Sequence, residues 1–128
     1  MIVLDTHIWI WWVNETPRLS PSNLKMIQTH QSRGLGISII SCWEIAKLVE
    51  KSRLSLDRPV NEWLELALAY PGIELVDLSL PIILQSTSLE GFHNDPADQI
   101  IVATAKVLNV PLLTQDTKIL AYPGVKTF

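Results

Sequence analysis

One cysteine, Cys42, occurs among the 128 residues, so no disulfide forms within the chain, which agrees with a reducing cytoplasm. Charge is scarce: 18% of residues are charged, and ten basic residues against 13 acidic ones leave a net charge of −3. A broad basic surface, usual in proteins that only bind nucleic acid, is therefore absent. An acidic site neutralised by cations is not excluded. No apolar run approaches the roughly 20 residues that a membrane-spanning helix requires. The run at residues 8–13 is far shorter and lacks the flanks of a signal peptide. A cytoplasmic protein without membrane contact is expected. Repeats and low-complexity segments are also missing. The 48% hydrophobic content excludes a disordered chain, and the length suits a single domain over residues 1–128.

Short apolar runs alternate with helical patterns. Residues 2–4 read as a strand that stops at Asp5-Thr6, and residues 7–13 as a helix ending before Pro17. Ser20-Pro21 is an N-cap followed by proline at the first helical position, with a helix to about residue 32. Residues 36–40 read as a second strand. Ser41-Cys42-Trp43-Glu44 has the form of a capping box opening a helix to about residue 51. Further helices are expected at 59–70 and 80–89, the latter capped by Ser79, with a third strand at 73–78 between them. Asp95-Pro96-Ala97-Asp98 is a second capping signal before an apolar helix over 100–108. A fourth strand is expected at 111–114 and a short fifth at 125–128. This alternation predicts an α/β fold with a central parallel sheet covered by helices on both faces.

The acids are informative by position. Asp5 directly follows the first strand, Glu44 lies one helical turn past the second, and Asp116 lies just past the fourth. Open α/β sheets bind ligands at the carboxyl ends of their strands, near a switch in strand order. Asp98 begins a helix and joins that edge only if the loop over 88–94 returns there. Two carboxylates ~6 Å apart repel by roughly 3 kcal/mol at an effective dielectric of about 20. A cluster of four needs protonation or a cation, and hard Mg²⁺ or Mn²⁺ suits oxygen ligands. Each acid also has a plain local reading. Glu44 suits the third position of a capping box, Asp98 a helix first turn, and Asp5 and Asp116 turns.

Asp5-Thr6-His7, Ser41-Cys42-Trp43-Glu44-Ile45-Ala46, the run from His93 through Asp95-Pro96-Ala97-Asp98 to Ala105, and Leu112-Leu113-Thr114-Gln115-Asp116 occur in an order that resembles a PIN domain. The closer resemblance is to VapC-type toxins of toxin–antitoxin pairs, and it spans essentially the whole chain. It implies a ribonuclease H-like α/β fold, Mg²⁺ dependence with Mn²⁺ able to substitute, endonucleolytic cleavage of RNA, and an antitoxin that blocks the site. The family's acidic positions carry over to Asp5, Glu44, Asp98 and Asp116. Thr114 and Thr6 match hydroxyls that orient carboxylates. Asp95 is either a further ligand or a cap, and Pro96 after it favours the cap. One departure is Gln99, where the related segment usually carries arginine.

Lys47 and Lys51 share the helical face of Glu44, ahead of Arg53 and Arg58, and either guide an RNA backbone or form a solvated face. His93 reads as a structural loop histidine or a ligand; His7 and His30 have no evident partner. Cys42 reads as a packing residue. Trp9, Trp11 and Trp12 cannot all face one stripe of a helix, so surplus aromatic surface is expected to meet a second copy or an antitoxin. Two other classes compete with the nuclease: a catalytically silent binding module, and a phosphatase with Asp5 as nucleophile. The phosphatase usually wants a second aspartate two residues on, where His7 stands.

Overall fold

In a computed structural model describing residues 1–128, the first strand, β1 (Ile2–Leu4), runs through the middle of the molecule with every residue buried. Successive strand side chains point to opposite faces. Ile2 and Leu4 join one apolar cluster and Val3 joins another, so this short strand connects both halves of the core. Beside it run β2 (Leu35–Ser38) on one side and β4 (Leu112–Leu113) on the other, with β3 (Ile73–Val76) outside β2. All pairings are parallel, in the order β3-β2-β1-β4.

The helices are α1 (Thr6–Val13), α2 (Pro21–His30), α3 (Ile39–Glu50), α4 (Val60–Leu68), α5 (Leu80–Ser86), α6 (Pro96–Leu108) and α7 (Thr117–Leu120). None is long and apolar enough to cross a membrane. The larger cluster joins Ile8, Trp9, Ile27, Ile45 and Trp63 to β1 and β2, while Ile101, Val102, Ala105 and Ile119 pack on Val3 and Leu112. Trp9 is fully buried, edge-on to Trp63 with ring centroids 5.5 Å apart. Trp11 and Trp12 are half-buried, and Trp12 meets Tyr70 edge-on at 5.2 Å. The three indoles thus divide between core and rim, as the helical spacing requires.

Several boundaries differ from the sequence reading, each for a local reason. Ser38, rather than Ser41, caps α3: its hydroxyl accepts from the Ile40 N–H at 3.2 Å. The β-branched pair Ile39-Ile40 reads as strand yet forms the first helical turn. Ser41 and Glu44 therefore sit inside the helix, and the expected capping box does not form. The helix α5 stops at Ser86 because the hydroxyls of Ser86, Thr87 and Ser88 return to the carbonyls of Ile83 and Leu84. The third strand ends at Val76, and exposed Glu74 and Leu75 mark it as an edge rather than a strand buried on both faces. In place of a fifth strand there is one parallel bridge, Leu112 to Thr127, with Leu112 N–H donating to the Lys126 carbonyl at 2.8 Å. The four-residue α7 was not expected; Asp116 caps it.

Gly72 turns the chain into β3 with φ +89°, and a Cβ there would lie 2.3 Å from the Gln31 carbonyl oxygen. Gly72→Ala should therefore cost about 2–3 kcal/mol, from positive-φ strain plus the backbone clash. Urea denaturation would show this as a lower midpoint at unchanged slope; a loss below about 0.5 kcal/mol would contradict the close approach.

Candidate active site

The chain leaves β1 toward β2 and β3, then returns on the opposite side of β1 as β4. That reversal opens a crevice at the carboxyl ends of β1 and β4. Asp5 lies in it, 5% exposed, as the N-cap of α1. One carboxylate oxygen, Oδ1, accepts from the Thr6 N–H at 2.8 Å, and Oδ2 accepts from the Thr114 hydroxyl at 2.7 Å. Thr114 in turn accepts from the Asp116 N–H at 3.0 Å. The ends of the two strands and the start of α7 are thereby joined through one side chain.

A pocket of about 220 Å³ opens above Asp5, lined by Glu44, Asp95, Asp98 and Asp116 together with His7 and Trp11. All four acids singled out in the sequence reach it. Asp98 does so because the loop before α6 returns to the sheet edge. Asp95 is the N-cap of α6, accepting from the Asp98 N–H at 3.1 Å, yet it also lines the pocket. Asp116 caps α7 through the N–H groups of Lys118 and Ile119. Capping and pocket-lining are therefore not alternatives, because the cap sets where the carboxylate points.

The PIN domain family model matches residues 2–125. The chain belongs to the PIN-domain family. This PIN domain is 31% identical over 119 residues to Ribonuclease VapC22 of Mycobacterium tuberculosis, covering 92% of this chain and 88% of that one, and it is of the VapC type. Its fold matches VapBC2 from Rickettsia felis bound to a promoter DNA fragment, with TM-score 0.71, 20% identity and coverage of 100% and 98%. It also matches FitAcB from Neisseria gonorrhoeae, with TM-score 0.69, 21% identity and coverage of 100% and 96%.

The electrostatics of this PIN-domain pocket are those of carboxylates short of positive charge. Burial pushes the Asp5 carboxyl above its ordinary range, against the hydrogen bonds from Thr114 and Thr6. Burial likewise raises Glu44, with a further push from the charge of Asp5. Asp98 is pushed up to about 8, by burial first and then by Asp5, Asp95, Asp116 and Glu44. Glu44 Oε1 is buried without a hydrogen-bond partner. The Thr6 hydroxyl, 2.8 Å from Ser41 Oγ, is shared with that serine. The donor set is entirely hard oxygen, and an orphaned carboxylate oxygen fits a cation. No three of these groups close into a ready cage. They ring the pocket instead, which suits Mg²⁺, an ion that retains several waters.

Three further residues meet this edge. His93 touches the pocket's wall: its Nε2 lies 3.1 Å from Asp98 Oδ2, a close contact off the line of a hydrogen bond. His7 lines the pocket, and its positive form favours the ionised carboxyls of Asp5 and Glu44. Gln115 ties the loop after β4 to the start of α2, accepting from the Ser20 N–H and the Asn23 amide at 3.0 Å. Position after a strand or before a cap was the available signal for all three, and it does not distinguish ligand from scaffold. Gln99, in place of the family's arginine, donates to the His93 carbonyl at 3.0 Å and so steadies the loop carrying that histidine. Lys47 pairs with Glu50 at 3.0 Å on the surface of α3, and Lys51 is exposed.

The folded Asp98 pKa of about 8 exceeds the unfolded value, so ionising the group costs stability. Its contribution to stability is fully present below about pH 4, near the unfolded pKa, and is lost progressively up to about pH 8, as the unfolded chain ionises while the folded group holds its proton. Metal-free protein should therefore lose thermal stability over that window. Asp98→Asn should flatten the loss, and millimolar Mn²⁺ should reverse it at high pH. Differential scanning fluorimetry in EDTA and in Mn²⁺ measures all three; a pH-independent midpoint for the unmodified protein would contradict the crowded carboxylates.

Proposed function

We propose that this protein is a divalent-metal-dependent endoribonuclease that hydrolyses RNA phosphodiester bonds, the toxin of a toxin–antitoxin pair. The observation carrying this reading is the convergence of Asp5, Glu44, Asp98 and Asp116 from four separate elements on one pocket at the strand-order switch. Likeness to Ribonuclease VapC22 supports the reaction and its substrate class.

Asp5, Glu44, Asp98 and Asp116 would hold Mg²⁺, or Mn²⁺ in its place, directly or through water. When bound, the ion supplies positive charge for the phosphate and makes water a better nucleophile. Thr114 holds the Asp5 carboxylate in one orientation, and Thr6 with Ser41 flanks Glu44. Asp95 fixes the first turn of α6 and adds negative charge at the pocket mouth. Lys47 and Lys51 give the RNA backbone a weak guide at most, since Lys47 is already paired.

The partner in this reading is an antitoxin, in keeping with the likeness of this fold to a toxin–antitoxin complex from Klebsiella pneumoniae. A groove of about 340 Å³ between Trp11, Trp12, Leu19, Leu24 and Tyr70 offers it an apolar seat beside the acidic pocket, with Trp11 lining both. The half-buried indoles also supply surface for a homodimer. The cytoplasm is the compartment where RNA, antitoxin and a single reduced cysteine coexist.

Purified protein with Mn²⁺ should cut single-stranded RNA, and EDTA should stop it. Asp5→Asn and Asp98→Asn should each lower the rate at least about 100-fold while the circular dichroism spectrum keeps its native shape. Cleavage that survives both substitutions would end the proposal. A folded, metal-indifferent protein that only binds a partner would favour the silent module.

A further inference from the structure

A second hollow, of about 280 Å³, adjoins the acidic pocket on the side of α7, lined by Gly91, Phe92, His93, Lys118 and Tyr122. Its base is aromatic. The rings of Phe92 and Tyr122 lie 5.0 Å apart at 60°, and Phe92 meets the His93 ring at 4.4 Å. The Tyr122 ring folds back over Gly124, where a Cβ would meet the ring and its hydroxyl. Lys106 Nζ lies 5.9 Å from the centroid of that ring. At the rim, Lys118 is exposed and makes no ion pair, unlike Lys47 and Arg58.

Two contacts link the lining of the hollow to that of the acidic pocket. His93 lines it and touches Asp98, and the Lys118 N–H is held by Asp116 Oδ1 at 2.8 Å. The acidic pocket offers an RNA chain a place for one phosphate, provided a cation is there. Neighbouring phosphates meet mainly its negative charge, and bases find only the half-buried Trp11 indole and the His7 ring among the carboxylates. The adjacent hollow adds what the acids do not offer: two further aromatic rings and a free ammonium for the backbone.

We propose that this hollow is the subsite for the nucleotide one step beyond the pair joined by the scissile phosphate, its base against Phe92 and Tyr122 and its phosphate at Lys118. The assignment rests on the ribonuclease reading of the acidic pocket. Single-stranded RNA is the occupant, because a base can reach these rings only when unpaired.

The test compares Phe92→Leu, Tyr122→Leu and Lys118→Gln on fluorescent single-stranded oligoribonucleotides of mixed sequence, a hexamer and a dinucleotide, with Mn²⁺. Leucine keeps apolar bulk against the core but removes the ring. For the hexamer, each leucine variant should raise KM about tenfold with kcat within about twofold, the loss expected for one stacked base. Phe92→Tyr should recover most of it. The advantage in kcat/KM of hexamer over dinucleotide should shrink in the leucine variants. Lys118→Gln should reduce the slope of log KM against log salt by about 0.7, one phosphate contact on a single strand. Hexamer KM values equal to those of the unmodified protein would overturn the subsite. Equal losses on both substrates, or a fall in kcat alone, would also overturn it, since a structural defect does not read substrate length. Should the leucine variants cut RNA normally but lose a protein partner, the hollow is a protein-binding face and the inference fails. Failure of the unmodified protein to cut any RNA is a separate result, which removes the nuclease reading and this subsite with it.

Discussion

The short hydrogen bonds from the Thr114 hydroxyl and the Thr6 N–H to the Asp5 carboxylate organise this molecule's working edge. They fasten the end of β1 to the end of β4, strands that lie side by side although more than 100 residues separate Asp5 from Thr114. A buried carboxylate is costly without partners, and here both oxygens have one. The same contact starts α1 and, through Thr114, positions the Asp116 N–H at the threshold of α7. Disturbing it would displace two helix starts and two pocket walls together.

Around that anchor, helix caps serve as chemical positioning devices. Asp5, Asp95 and Asp116 are each an N-cap, and Asp98 sits in a first turn. A capping carboxylate spends one oxygen on backbone N–H groups and keeps lone pairs for other partners. Helix N-termini also tolerate negative charge through the macrodipole. Three helices starting at one sheet edge therefore make it less costly to crowd acids there. That compensation is incomplete: Asp98 is still pushed up to about 8, and Glu44 keeps an orphaned oxygen. The remaining tension is what a divalent cation would relieve.

The modest charge of the whole chain fits this arrangement. A net charge of −3 would discourage RNA if spread evenly. The structure instead concentrates acids in one pocket and places His93 and the unpaired Lys118 on its flank. Under the proposed function, recognition would depend on local contrast between the acidic, cation-seeking pocket and an aromatic, basic shoulder, not on a broad positive face. The apolar groove around Trp12 and Tyr70 shares Trp11 with the same pocket, so a protein seated there would sit beside the acidic site.

By itself, the order of residues determined the alternation of strands and helices, the parallel sheet, and the placement of Asp5, Glu44 and Asp116 past strand ends. Those properties depend on hydrophobic period and on local capping chemistry, which act over a few residues. The start of α3 was misplaced because Ile39-Ile40 carries a strand preference that tertiary packing overrides, and α7 was too short for any periodicity to announce it. Asp98 could be assigned to the edge only conditionally, since a loop's return path is set by what it packs against. The contact of His93 with Asp98, the folding of Tyr122 over Gly124 and the pairing of Lys47 with Glu50 were decided by the tertiary structure alone. Each depends on the direction of a side chain relative to a neighbour. Burial and distance, which a linear pattern does not carry, turn an ordinary cap or loop residue into part of a site.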